Sequence, residues 1–122
     1  MGEVGENEAL TLSRDQMTDF RTVQRWLSVL GDKSAEDVER RLDVLCEFCR
    51  FYGKDADALV EYLFRQTPEG PRIRLKRRRA VMARIEEFEE HAGGGRPDRD
   101  AGNIVRSFLL NNGIAMTARP LW

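Results

Sequence analysis

Basic side chains are concentrated in one short segment of the sequence. Seven cations fall within thirteen residues, namely Arg72, Arg74, Lys76, Arg77, Arg78, Arg79 and Arg84. On a predicted helix, Arg72, Lys76 and Arg79 lie along one side and Arg77 and Arg84 on another, so the charge wraps around the axis. Such a cluster binds polyanions by releasing counterions from phosphates, and this binding weakens steeply with salt. The segment is therefore a candidate nucleic-acid contact.

The same cluster has a plainer interpretation as a solvated helix face. Four acidic residues follow it on the predicted outer face of the same helix, namely Glu86, Glu87, Glu89 and Glu90. Acidic side chains three or four residues from a cation on a helix pair with it and weaken its positive electrostatic potential. The residues alone leave both interpretations open.

The net charge hides how unevenly the charges are distributed. The 122 residues include 20 basic and 21 acidic side chains, for a net charge of −1. Residues 71–84 carry +7 with no acid, whereas residues 1–20 and 85–100 carry −4 each. A local basic segment permits a polyanion partner, and the near-zero total predicts that binding is weak.

Residue types that support catalysis or metal binding are sparse. Cys46 and Cys49 form one C-x-x-C, and His91 is the chain's one histidine, so the four ligands of a structural zinc site are lacking. The two cysteines lie three residues apart in a helical pattern, which predicts buried core thiols. Gly93-Gly94-Gly95 follows no predicted strand and predicts a hinge. We expect no catalytic residue, metal or cofactor, and hence no enzyme in this chain alone.

Apolar residues at spacings of three and four predict the elements that position these side chains. Capping signatures at Ser13-x-x-Gln16 and Ser34-x-x-Asp37 mark two helix starts. The predicted helices span residues 13–30, 34–52, 56–66, 72–92 and 96–110, with Thr67-Pro-Glu-Gly-Pro71 as a break. No stretch alternates convincingly enough for a strand. The prediction is an all-α fold with four or five helices.

The length predicts a single domain. We expect a flexible acidic tail over residues 1–12, the helical domain over 13–116, and a tail or the start of an interdomain linker over 117–122. No apolar run is long enough for a membrane span, and the N-terminus does not resemble a signal peptide. These features predict a soluble cytoplasmic protein with no membrane partner.

Two segments of the sequence combine helical spacing with distinctive motifs. The first reads Lys33-Ser34, then Leu42-x-x-Leu45-x-x-Phe48-Cys49-x-Phe51-x-Gly53-Lys54-Asp55. The second reads Arg106-Ser107-Phe108-Leu109 and ends in Asn112-Gly113-Ile114. Together they resemble the core-binding domain of tyrosine recombinases, the phage-integrase family. The chain departs from the family pattern at Asp37, where the family usually has Thr, and at Arg41, where it often has Tyr.

The resemblance implies a compact orthogonal helical bundle of the SAM-like integrase N-terminal type that clamps one side of a DNA duplex. It implies DNA integration and recombination as the setting, with the Arg, His and Tyr of catalysis in a separate C-terminal domain, whether this chain is a fragment or a stand-alone relative. The implied partners are duplex DNA, that domain in cis and further copies on DNA, at the nucleoid. The expected DNA contacts lie at one helix start, on the basic helix and on the last helix: Lys33, Ser34, Arg72, Arg74, Lys76, Arg77, Arg78, Arg79, Arg84, Arg99 and Arg106.

Two alternatives stay open at this point. Ser34 also fits a plain helix N-cap whose hydroxyl is used on the Asp37 N–H, and Lys33 also fits an ordinary surface lysine. The whole chain also fits a helical protein–protein interaction domain, because acidic helix faces and a near-zero net charge suit one.

Overall fold

Helices account for most of the chain. The computed structural model describes residues 10–31 and 33–116. Within those ranges a 3₁₀ helix, Arg14–Asp19, is followed by five α helices and one antiparallel hairpin. The helices are α1 (Arg21–Leu30), α2 (Ala35–Tyr52), α3 (Ala56–Leu63), α4 (Leu75–Gly93) and α5 (Arg99–Leu110). The strands β1 (Phe64–Thr67) and β2 (Gly70–Ile73) lie between α3 and α4.

Short polar side chains begin three of the helices, because each satisfies a backbone N–H that has no partner in the first turn. Ser34 Oγ accepts from the Asp37 N–H at 3.1 Å, which confirms the predicted start of α2. Asp55 accepts from the Ala58 N–H at 2.7 Å at the start of α3, and Asp98 caps α5 in the same way. Gly53, at φ 95°, ends α2 as predicted.

Aromatic pairs join the helices in the core. Trp26 of α1 meets Phe108 of α5 edge to face, with ring centroids 5.5 Å apart. Phe48 of α2 meets Phe88 of α4 in the same way at 5.3 Å. Such contacts add to the stabilisation that apolar burial itself provides. All four rings belong to one cluster of buried apolar residues, so the four helices share one core.

The predicted core thiols are confirmed. Cys46 and Cys49 are free and buried on the inner face of α2. Burial raises the pKa of both thiols, since the apolar surroundings disfavour the thiolate. Leu12, from the predicted tail, is also buried, and its carbonyl accepts from Arg50 Nε at 2.7 Å.

The prediction that the chain contains no strand is wrong. The predicted third helix ends at Leu63, three residues early, and β1 and β2 pair with Phe64 opposite Ile73 and Thr67 opposite Gly70. Pro68 and Glu69 form the turn, and Gly70 at φ 114° provides the backbone conformation that such a turn needs. The segment predicted as a break is thus the closed end of a hairpin.

The first predicted helix is interrupted at Phe20. This residue is extended, with φ −83° and ψ 133°, and separates the 3₁₀ helix from α1. Asp57 of α3 provides the cap for α1, because its carboxylate accepts from the Thr22 N–H at 3.0 Å and from the Thr22 hydroxyl at 2.6 Å. A contact distant in sequence therefore sets this helix start.

Predictions for residues 1–9 and 117–122 lie outside the described residues. Among the helices of the described part, none combines the length and apolar character that a membrane crossing requires.

Candidate nucleic-acid interface

The cations of the hairpin and of the α4 start line one open groove. We call this set the basic surface: it consists of Arg65, Arg72, Arg74, Lys76 and Arg77, together with Arg79 one turn further along α4. Arg65 and Arg72 face each other across the two strands. Phe64, Ile73 and Leu75 form the apolar part of the groove. The structure thus brings most of the predicted basic cluster together, with Arg72 on a strand rather than on the helix.

Backbone carbonyls hold two of these guanidinium groups in place. Arg77 Nη1 donates to the Tyr62 carbonyl at 3.0 Å, and its guanidinium lies 4.3 Å from the centre of the Tyr62 ring. Arg74 Nε donates to the Phe64 carbonyl at 3.3 Å. A guanidinium has five N–H donors, so one such bond leaves donors for a ligand. These contacts fix the α4 start against α3 and β1.

The acids of α4 do not neutralise the basic surface. Among the described residues, no ion pair involves any of the cations between positions 65 and 79. The predicted pairing with the following acids holds for Arg84, which pairs with Glu87. Arg84 also lies over the Phe51 ring at 4.1 Å, and Arg78 Nε donates to the Ala115 carbonyl at 2.9 Å. Arg78 therefore contacts the segment that follows α5, and Arg84 contacts α2.

The α4 start has the opposite charge pattern from its neighbours. Helices α2, α3 and α5 each have a capping side chain and an acid in the first turn. Helix α4 has Arg74 at its N-cap position, no side-chain cap and no acid in the first turn. Cations at this end oppose the helix dipole, at a cost of about 0.3–1 kcal/mol each when exposed. The described contacts contain no carboxylate that offsets this cost.

Glu89 does not lie on the outer face of its helix, contrary to the prediction. Its side chain is fully buried between α4 and α5, where Oε1 accepts from Arg99 Nη1 and Oε2 from Arg106 Nη1, both at 2.6 Å. Gly102 provides the space, because a Cβ at that position would lie 1.8 Å from Glu89 Oε2. Glycine normally destabilises a helix interior relative to alanine, and here the packing against Glu89 requires it.

This cluster removes Arg106 from the candidate surface cations. Arg106 is 6% exposed and also donates to Asn103 Oδ1 at 2.9 Å, so its guanidinium lies inside the protein. Arg99 is half-buried and bonds the same carboxylate. The expectation that Arg106 contacts DNA is incompatible with this burial.

Lys33 and Ser34 lie at the other end of the helical domain. The first half of α2 reaches the start of α5, where Arg40 Nη2 and Asp100 Oδ2 are 2.6 Å apart. The basic surface lies near the end of α5, since Arg78 contacts Ala115. The 12 residues of α5 separate the two regions by about 18 Å. The structure therefore does not bring Lys33, Ser34 or Arg99 together with the basic surface.

The start of α2 is also occupied by its own contacts. Ser34 Oγ is engaged with the Asp37 N–H, and the Asp37 carboxylate accepts from Arg41 Nε at 2.8 Å. The hydrogen bond from Arg41 lowers the pKa of Asp37. Lys33 is exposed. The plain capping interpretation of Ser34 is thus the one that the contacts support.

Arg65 is a residue of the basic surface that was not among the predicted DNA contacts. It lies on the exposed face of β1, and strand pairing places it opposite Arg72. The signal was present in the sequence, because Thr67-Pro68-Glu69-Gly70 has proline and glycine at the positions that a hairpin turn favours.

The three glycines form a hydrogen-bonded turn. The Gly95 N–H donates to the Gly93 carbonyl at 2.9 Å, and the Asp98 N–H donates to the Glu89 carbonyl at 2.9 Å. A Cβ at Gly93 would lie 2.8 Å from the Asp98 nitrogen, so the close approach of the two helices requires glycine there.

Within the described ranges, no three side chains of His, Cys, Asp or Glu lie together as a metal site. Comparison of the chain with protein-family models, curated proteins and solved structures finds no match.

Proposed function

We propose that this chain is a non-catalytic module that binds duplex DNA through the basic surface. The observation that carries the proposal is the group of cations at the start of α4 and on the hairpin, which pair with no carboxylate of the described chain. Lys76 and Arg79 are exposed on one side of α4, and Arg65 and Arg72 are exposed on the hairpin. Phosphate is the ligand that this charge and this donor set favour.

The energetics of the α4 start support an anionic ligand. Cations that oppose a helix dipole destabilise the free protein, and Arg65 and Arg72 repel each other across the strands. Charge arrangements that are unfavourable for the free protein, like these two, concentrate at functional sites. A phosphate at this position interacts favourably with the cations and with the helix N-terminus. Phosphate binding therefore offsets the destabilisation that these cations cause in the free protein.

The placement of the aromatic rings favours double-stranded over single-stranded nucleic acid. Single-strand binders stack successive bases on exposed aromatic side chains. The Phe, Tyr and Trp rings of the described residues are all buried or half-buried, and those nearest the basic surface are Tyr62, which lies beneath Arg77, and Phe64. A surface of cations without exposed rings suits the outside of a duplex.

The larger setting follows from the family resemblance of the sequence. The resemblance to tyrosine-recombinase core-binding domains suggests a module that holds DNA while a second domain cuts and rejoins it. Tethering to that domain would raise the effective concentration of DNA and make a weak contact sufficient. We therefore propose site-specific recombination as the process that this module serves.

Two charge-matched substitutions test which cations bind DNA. Arg79→Gln removes an exposed cation of the basic surface, and Arg96→Gln removes an exposed cation from the turn at the other end of α4. We expect Arg79→Gln to weaken duplex binding and to reduce the slope of log affinity against log salt by about 1. Fluorescence anisotropy with a labelled duplex measures both.

Arg96→Gln should leave the affinity and the salt slope unchanged. Equal effects of the two substitutions would mean that only the net charge matters, and the proposed surface would then be wrong.

A further inference from the structure

We propose that the β1–β2 hairpin enters the major groove of the duplex, where Arg65 and Arg72 contact base edges while Lys76 and Arg79 hold the phosphate backbone. This inference rests on the proposed function, and it assigns groove recognition to a ribbon instead of a helix. Its evidence is the exposure, the register, the rigidity and the charge of the hairpin.

The hairpin is anchored at its open end and exposed at its closed end. The half-buried side chains of Phe64 and Ile73 form the first cross-strand pair, and the Arg74 N–H donates to the Leu63 carbonyl at 2.8 Å. Beyond that pair most side chains are exposed, namely those of Arg65, Gln66, Pro68, Glu69, Pro71 and Arg72. A two-stranded ribbon exposed in this way gains little from core packing. Its exposed end is therefore available to a ligand.

The register places two arginines side by side on one face. Arg65 lies directly opposite Arg72, so their side chains leave the same face of the ribbon. Like charges in that arrangement destabilise a strand pair. Each guanidinium can bond guanine O6 and N7 together, which is the commonest specific contact in the major groove.

Hydrogen bonds and prolines make the closed end rigid. Thr67 Oγ1 donates to the Gly70 carbonyl at 2.6 Å and accepts from the Glu69 N–H at 3.2 Å. Pro68 restricts the backbone within the turn, and Pro71 restricts it in β2. A rigid ribbon loses little conformational entropy when it binds.

The widths of the two grooves and the charge of the hairpin tip indicate which part of the duplex the hairpin contacts. The major groove, about 12 Å wide, admits a two-stranded ribbon, whereas the minor groove, about 6 Å wide, is too narrow. Glu69 at the tip is exposed and would be repelled by backbone phosphates. Between base edges its carboxylate can accept from the amino group of cytosine. Because the hairpin carries both an acid and two arginines, it complements the base edges of the major groove better than the DNA phosphate backbone.

Base analogues test this inference with the full chain. The probes are three alternating G·C duplexes of the same length: one unmodified, one with 7-deazaguanine, which lacks N7 in the major groove, and one with inosine, which lacks the amino group in the minor groove. We expect wild-type affinity to fall at least about fivefold with 7-deazaguanine, in line with the discrimination of one bidentate contact, and to stay unchanged with inosine.

Two double substitutions of equal charge distinguish the hairpin from α4. In Arg65→Gln/Arg72→Gln, the affinity should become the same for the unmodified and the 7-deazaguanine duplexes. In Lys76→Gln/Arg79→Gln, binding to every duplex should weaken while the 7-deazaguanine ratio stays at its wild-type value. All four side chains are exposed, so both variants should stay folded, and the loss of unfavourable charge should make them slightly more stable than wild type.

The failures of the two proposals are distinguishable. Salt-dependent binding of wild type with no effect of 7-deazaguanine would overturn the groove assignment alone. An effect of inosine in place of 7-deazaguanine would do the same. So would a 7-deazaguanine ratio in Arg65→Gln/Arg72→Gln that equals the wild-type ratio. No binding of wild type to any duplex would overturn the proposed function and this inference together.

Discussion

Glu89 shows how much one buried charge constrains the residues around it. Each carboxylate oxygen bonds a different arginine of α5, Arg99 or Arg106, and no Cβ fits at Gly102. A buried carboxylate is tolerated only when its hydrogen bonds are satisfied, because desolvation of a lone charge is very costly. The glycine and the two arginines therefore form one unit with Glu89.

The sign of a glycine substitution tests this unit. In an exposed helix interior, Gly→Ala stabilises by about 1 kcal/mol. We expect Gly102→Ala to lower the free energy of unfolding by about 2 kcal/mol or more, since the new methyl group displaces Glu89 from a closely packed site. Urea denaturation monitored by circular dichroism measures the change.

Gly95→Ala is the control for that substitution. Nothing lies within 4 Å of a Cβ at Gly95, and its φ is outside the positive range, so the stability should change by less than about 0.5 kcal/mol. Stabilisation by Gly102→Ala would show that Glu89 does not occupy the position described.

Helix α4 is exposed and basic at its start and buried at its end. Its first turns carry the exposed cations of the basic surface, and its last turns carry Phe88 and Glu89, which pack against α2 and α5. The buried end fixes the direction of α4, so the exposed end and the hairpin before it are held in place. The ion pairs of Glu89 therefore help to position the basic surface at the opposite end of α4.

Removal of the Glu89 carboxylate should destabilise this helix pair. Glu89→Ala leaves Arg106 buried without its partner, and we expect a loss of about 3–5 kcal/mol in the free energy of unfolding. The neighbouring Glu90→Ala, at an exposed position, should change it by less than about 0.5 kcal/mol. Chemical denaturation compares the two, and equal small effects would contradict the buried cluster.

Local signals predicted both ends of α2 and missed the contacts between residues that are distant in sequence. Ser34 and Gly53 mark the ends of α2 in the sequence because capping depends on residues within one turn. The start of α1 depends on Asp57, which is 35 residues from Thr22 in sequence. The hairpin was missed because its strands are four residues long and its proline and glycine were interpreted only as a break.

The same distinction applies to the candidate site. Charge density alone located the segment from Arg72 to Arg79, since that property belongs to neighbouring residues. The sequence did not separate Arg106 from the surface cations, because its burial depends on Glu89, 17 residues away. Arg65 joined the site only through strand pairing.

The positive charge of the molecule is concentrated in one segment, and the rest of the chain is acidic. Residues 71–84 carry +7, and the remaining residues carry a net −8. A duplex attracts the basic surface and repels the acidic remainder, which orients the protein as it approaches. The same repulsion limits affinity, so we expect an oriented but weak complex.

A salt titration of wild-type binding to a labelled duplex tests DNA binding by the basic surface most directly. The two exposed cations proposed to hold phosphates, Lys76 and Arg79, predict a slope of log affinity against log salt of about −1.8. The affinity should then fall roughly tenfold between about 50 mM and 200 mM salt. No detectable binding at about 50 mM salt, or an affinity that salt does not change, would contradict DNA binding by this surface.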